Sequence, residues 1–301
     1  MSRPWWRVLA VRGVVWRRYL DFGVTNVPIY LRPVMIFFWT IFFFFLAAPA
    51  RRAILSNLRV VLPGSSPLLN LGRAWLTLYN FAWTIADAAD HKLAKTEFAY
   101  EVEGAEFLEQ LAAAHGAVLL TAHMGNYDLG AALFAERFQR NIRMVRAPEA
   151  DAQTARHLDE SLERAGAGAV KVAYNTSSMA LPLDLLNGIR EGEIVSIQGD
   201  RAVAQVSQRS ARLFGEEVQL PDGPFMLAFV SQAPIYPLFI VRTSFHHYKI
   251  LACAPIRCLR QDRDREGAIE EAMGTWCRTL ENVIAANWSQ WFSLVPIFPE
   301  R

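Results

Sequence analysis

The chain has 301 residues, 52% of them hydrophobic and 20% charged, with a formal net charge of +2. That length fits one large domain, or a domain with an appendage, and a mean hydropathy of +0.14 without repeats or low-complexity linkers excludes a disordered chain. The small net charge hides an asymmetry, because residues 1–60 hold nine Arg, no Lys and one acid (Asp21), giving +8 there and −6 over the remainder.

The N-terminal part therefore reads as a basic, aromatic-rich, membrane-associating helical segment over residues 1–60, ahead of a catalytic domain over 61–301. Its apolar centre, Val34 to Ala48, is uncharged throughout. It is short for a span that needs about 20 residues. Arg32 stands before it and Arg51 and Arg52 after it, so the positive-inside rule gives no orientation. An interfacial or re-entrant anchor with both ends on one side is the expectation. A single spanning helix and a buried core helix are the alternatives. With 33 residues ahead of it and no small-residue cleavage site, the run is not a signal peptide. Trp5, Trp6, Trp16 and Trp39 suit an interfacial belt, and the basic end suits an anionic membrane surface.

From residue 66 the pattern predicts a helix over 66–90, a strand over 98–102 and a helix over 105–115. A buried strand over 117–122 and a helix over 127–140 come next. Strand 142–146, helix 150–164, strand 170–173, helix 178–190 and strand 193–198 follow. A helix over 223–231, strands 235–242 and 247–254 joined by a short turn, and a long helix over 265–287 close the chain. Strands alternating with helices imply an α/β class with a layered sheet.

The chemistry concentrates between the strand at 117–122 and the helix after it, in Thr121-Ala-His-Met-Gly-Asn-Tyr-Asp-Leu-Gly130. Loops at that edge of an α/β sheet commonly carry function. His123 is placed as a general base. Asp128, five residues on, is placed as the carboxylate that orients it. None of the other five His has an acid at that spacing. Gly125 allows a tight turn, and Asn126 is suited to cap the following helix.

No Gly-x-Ser-x-Gly is present, and Cys253, Cys258 and Cys277 fit no zinc spacing. The three read as reduced structural thiols, and direct transfer without a covalent enzyme intermediate is the expectation. His246 and His247 are adjacent and cannot easily ligate together from a strand. They read as turn residues, and no metal is expected.

His-Met-Gly-Asn-Tyr-Asp resembles the His-x-x-x-x-Asp/Glu block of the lipid A biosynthesis (late) acyltransferases. Three more segments agree in order: Arg51 to Pro63, Gly199-Asp200-Arg201 with Leu213-Phe214-Gly215, and Leu220 to Phe225 with Ala233 to Pro237. Gln290-Trp291-Phe292 is similar to the family's closing block. The resemblance implies a glycerolipid-acyltransferase-like fold, a mixed β-sheet flanked by helices with an N-terminal helical membrane anchor.

It also implies O-acyl transfer from an acyl carrier protein or coenzyme A thioester to a lipid hydroxyl, with no cofactor beyond that co-substrate. A lipid A precursor is the leading acceptor. Phosphatidylinositol mannosides, ornithine lipids and polyene lipids are alternatives. The implied location is the cytoplasmic face of the bacterial inner membrane, and nucleic acid is not an expected partner. Arg146 is implied as a phosphate-suited substrate residue, Asp200 as a second functional acid, and Arg201 as an aid to phosphate or oxyanion. Asn126 belongs with the substrate-binding group, and Gly223 could lend backbone N–H groups to the thioester carbonyl. A hydrolase using water at the same pair, and a non-catalytic membrane partner, are the competing classes.

Overall fold

The computed structural model describes residues 23, 25–94, 96–147, 169–175, 180–202, 206–259 and 264–299. Eight helices are described: α1 (Arg32–Leu46), α2 (Ala48–Val61), α3 (Pro67–Ala94), α4 (Ala105–Ala113), α5 (Tyr127–Phe138), α6 (Ala180–Arg190), α7 (Gly223–Ser231) and α8 (Arg265–Asn287). The strands are β1 (Ala99–Glu103), β2 (Ala117–Thr121), β3 (Ile142–Arg146), β4 (Val170–Tyr174), β5 (Ile194–Gln198), β6 (Gln208–Leu213), β7 (Glu216–Pro221), β8 (Ile235–Ser244) and β9 (His247–Ala252). The helix expected over 150–164 lies outside the described residues.

Seven strands form one sheet in the order β1-β9-β8-β2-β5-β3-β4. Only β8 with β9 is antiparallel, so the sheet is mixed. Strand β2 lies at its centre and is buried along its whole length. Its apolar run serves two cores at once. Val118 and Leu120 pack in the cluster that holds Trp276 of α8 and Phe225 of α7. Ala117 and Leu119 pack in the cluster that holds Leu111 of α4 and Phe134 of α5. This two-sided burial explains why β2 reads as a continuous apolar stretch and not as an alternating one. The expected α/β class, a mixed sheet flanked by helices, is what the structure has.

Strands β6 and β7 form a separate antiparallel hairpin that the sequence pattern did not announce. Arg209, Ser210, Glu216 and Glu217 keep it polar, and of its side chains only Leu213, Val218 and Leu220 among the hydrophobics are fully buried. Its turn puts both Phe214 (φ 50°) and Gly215 (φ 80°) in the left-handed region. A two-residue hairpin turn that follows strand twist demands that conformation.

Before the sheet come three mutually packed helices. α1 turns Ile36, Thr40 and Phe44 inward, four residues apart, and Ile36 meets Trp83, Ala86 and Ala89 of α3. α2 lays Ile54 and Leu58 against Ala74 and Leu78 of α3. α1 and α2 bend by 91° at a break of a single residue, Ala47. Among the described residues no single helix is long and apolar enough to cross a membrane. Two of the basic residues expected to flank the apolar run face inward. Arg32 pairs with buried Asp90 of α3, and Arg51 donates to the Phe44 carbonyl and lies over the Phe44 ring.

The segment Arg51 to Pro63 owes its Asn to the C-terminal tail. Asn57 is 2% exposed. Its amide donates to the carbonyls of Ser293 (3.3 Å) and Val295 (2.9 Å), and its Oδ1 accepts from the Ile297 N–H (2.9 Å). One side chain on α2, itself buried, therefore satisfies three backbone groups of the tail. Asn57→Ala leaves them unpaired and should lower folding stability by about 3 kcal/mol. Urea unfolding checks this, and a midpoint equal to wild type would refute the clamp.

Candidate active site

Strands β2 and β5 pair in parallel with Thr121 opposite Gln198, and the Gly199 N–H donates to the Thr121 carbonyl at 2.8 Å. His123 lies two residues past Thr121, and Asp200 two past Gln198. The register therefore brings the two side chains together at the C-terminal edge of the sheet. His123 Nδ1 lies 2.7 Å from Asp200 Oδ1. The carboxylate can only accept, so Nδ1 carries the proton and Nε2 is left with its lone pair. Asp200 is fully buried, while the His123 side chain is 16% exposed.

The carboxylate on His123 is thus Asp200 and not Asp128, which corrects the expected His123–Asp128 pairing. Asp128 sits in the first turn of α5, where it meets the end of β3. Its Oδ2 accepts from Arg146 Nη2 at 3.2 Å. The ring centroid of Tyr127, next to Asp128 in sequence, lies 6.1 Å from that of His123. Two side-chain pairs, His123–Asp200 and Arg146–Asp128, consequently occupy the ends of adjacent strands.

The other expected residues divide. Arg201 follows Asp200, and its charge helps to hold that carboxylate ionised. Asn126 is 2% exposed, and its amide faces the scaffold, toward the Thr84 carbonyl (3.3 Å) and the Tyr248 hydroxyl (3.5 Å). Gly223 opens α7 with Pro224 next to it, and a Cβ there would meet open space. His246 occupies the turn between β8 and β9, with His247 starting β9.

Burial alone would push the Asp200 carboxyl up. The charge and hydrogen bond of His123 outweigh it, with Arg201 and the Trp291 indole adding to the effect, and the carboxyl is held at about 2. Burial also pushes the thiols of Cys258 and Cys277 up to about 11. Thiols held so far above neutral pH are poor nucleophiles.

Gly125 turns the chain between His123 and α5 with φ 52°, and a Cβ there would stand 1.7 Å from the Ile240 carbonyl oxygen. The loop is pinned from the other side by the C-terminal segment. Met124 bridges Trp291, the Phe292 N–H donates to the His123 carbonyl (2.7 Å), and the Gly125 N–H donates to the Gln290 carbonyl (3.1 Å). The Trp291 indole N–H reaches Asp200 Oδ2 at 2.9 Å. These contacts were not foreseen. The Gln-Trp-Phe block was visible as a motif, but nothing in its spacing tied it to residues 91 and 168 positions earlier.

A family model described as bacterial lipid A biosynthesis acyltransferase matches residues 25–299. The chain belongs to that family. No curated protein matches it. The family is one of acyltransferases, which makes acyl transfer the activity class of this chain. In this acyltransferase the His-x-x-x-x-Asp block supplies one member of each of the two pairs.

The low Asp200 pKa fixes the sign of one pH effect. The group ordinarily titrates near 3.8 and in the fold near 2. Its stabilising contribution is complete above the ordinary value and is lost as pH falls through the folded one. The stability gap between wild type and Asp200→Asn should therefore shrink as pH falls through the window from 3.8 to about 2. Denaturant titrations at a series of pH values measure it, and a gap that widens on acidification would contradict the assignment.

Proposed function

We propose that this chain moves a fatty acyl group from a thioester of acyl carrier protein or coenzyme A to a hydroxyl of a lipid A precursor, at the cytoplasmic face of the bacterial inner membrane. The observation that carries the reading is the 2.7 Å contact between His123 Nδ1 and the buried Asp200 carboxylate. It fixes the tautomer in which Nε2 can take a proton, and it offers a compensating charge to the imidazolium that forms.

In the proposed reaction His123 Nε2 removes the proton of the acceptor hydroxyl as the oxygen attacks the thioester carbonyl. The tetrahedral intermediate collapses with loss of the carrier thiolate. That sulfur takes the proton back from Nε2, so an ester and a thiol leave the site and no group remains on the enzyme. The Arg146–Asp128 pair lies on the neighbouring strand end, and its guanidinium suits the phosphate of an anionic lipid acceptor. Arg201, next to Asp200 on the neighbouring strand end, supports the same reading.

The membrane part of the proposal rests on α1. Opposite its buried stripe it exposes Val34, Phe38, Phe42 and Phe45, at 52, 64, 46 and 71%. Leu68 and Leu69, at the start of α3, are exposed as well. A bent helix pair with such a face suits an anchor that lies in one leaflet, and residues 1–60 would form the membrane-associating segment ahead of the catalytic domain.

His123→Ala should abolish formation of the acylated lipid, read by mass spectrometry. Asp200→Asn should lower kcat roughly a hundredfold to ten-thousandfold, the range of an acid–base contribution. Asp128→Asn should act mainly on KM for a phosphorylated acceptor. Equal kcat losses for the two Asp variants would place the orienting carboxylate wrongly. Release of free fatty acid without acylated lipid would point to hydrolysis. For the anchor, the double variant Phe38→Asp, Phe45→Asp should no longer float with anionic lipid vesicles while keeping its circular dichroism. Unchanged flotation would remove α1 from the membrane contact.

A further inference from the structure

The reading of His123 and Asp200 as the reacting pair leaves one strongly built feature unused, the segment from Trp288 to Ile297. It starts with a short 3-10 turn, Trp288–Gln290, and runs on without regular structure. Its polar partners fall on two sides.

On one side stand the helices. Asn80 of α3 donates to the Ser289 carbonyl at 3.1 Å, and Asn57 of α2 takes Ser293, Val295 and Ile297. On the other side stands the site. The Gln290 side chain brackets the backbone of Arg242 on β8, accepting from its N–H and donating to its carbonyl, both at 2.8 Å. Gln290 and Phe292 fix the main chain of Gly125 and His123. Trp291 is 4% exposed and delivers its one donor to Asp200 Oδ2.

Asp200 Oδ1 and Oδ2 are therefore held from opposite directions, by His123 and by Trp291. Rotation about the Cβ–Cγ bond moves both carboxylate oxygens together, so any turn of this group strains two buried hydrogen bonds and not one. The same residue bridges Met124, so the indole fixes the carboxylate while its backbone fixes the base.

We infer that Trp291 is a positioning residue of the transfer reaction, and that residues 288–297 form a strap that aligns the His123–Asp200 pair against α2 and α3. The inference rests on the proposed role of His123. The strap acts through Asp200 and the His123 backbone and touches no substrate itself. It gives the Gln-Trp-Phe block and the Asn of the Arg51–Pro63 segment a common purpose. Each is one end of a connection from the N-terminal helices to the reacting imidazole.

The test replaces Trp291 by the isostere β-(3-benzothienyl)alanine, in which sulfur stands for the indole N–H and the shape is kept. Trp291→Phe is a second variant, and all proteins are compared at a temperature well below the lowest melting temperature. The full chain in detergent is assayed with an acyl carrier protein thioester and a lipid A precursor. In parallel, the far-downfield Nδ1 proton of His123 is followed by NMR on histidine-labelled protein.

The strap predicts a kcat loss of roughly tenfold to a hundredfold, the cost of a small misplacement of a reacting group. It also predicts an unchanged KM and a His123 Nδ1 proton that broadens or exchanges faster, beside the lower melting temperature that losing a buried hydrogen bond brings by itself. A kcat and a proton resonance both equal to wild type would overturn it, as would a loss confined to melting temperature. The resonance does not depend on the reaction. Should the wild type transfer no acyl group, the function proposed above fails, while the state of that proton still decides whether Trp291 aligns the pair.

Discussion

The parallel register of β2 on β5 is the constraint on which the site depends. Thr121 opposite Gln198 fixes the offset of every residue that leaves those strands, and both strands leave at the same edge. His123 and Asp200, each two residues past the paired positions, then meet with Nδ1 2.7 Å from Oδ1. A slip by one residue would invert the faces of both strands, moving Val118 and Leu120 out of one core and into the other. The cores on the two sides of the sheet thus protect the register, and the register protects the pair. α8 reinforces this point. Its Trp276 stacks on Phe239 of β8 and donates to the Gly199 carbonyl at 3.1 Å, directly before Asp200.

Buried charge is managed in the same way throughout the edge of the fold that meets α3. Asp87 and Asp90 lie within α3 at 0 and 3% exposure. Burial raises the Asp87 carboxyl, which Tyr248 and Arg242 hydrogen-bond. Arg32 of α1 answers Asp90. Tyr248 passes the connection on to Asn126 in the loop after His123. A buried charge without a partner is costly, so these pairs specify how α1 and α3 sit on β8 and β9. They also draw Arg32 away from the surface role that its place beside an apolar run suggests.

The fold and the site differed in how far the sequence disclosed them. The strands at 117–122 and 193–198, the helix at 265–287 and the β8–β9 pair follow from local apolar period and turn residues, and the structure has them within a few residues. The β6–β7 hairpin did not show, because Arg209, Arg212, Glu216 and Glu217 mask its few inward positions. The break at Ala47 was also silent, since Pro49 sits where a helix start tolerates it. At the site, His123 was legible from its place after a buried strand. Its partner was not, because Asp128 is near in sequence while Asp200 is near in space.

Sequence alone determined the α/β class, the buried strand at 117–122 and the family, and it singled out His123, since each rests on short-range pattern or on motifs in order. Tertiary structure decided which carboxylate serves His123, what Arg146 and Arg32 hold, and why Gln290, Trp291 and Asn57 stand where they do. These depend on strand register and on contacts between residues far apart in the chain. Periodicity reports only which face a residue takes, and it carries no information about which distant residue will meet it there.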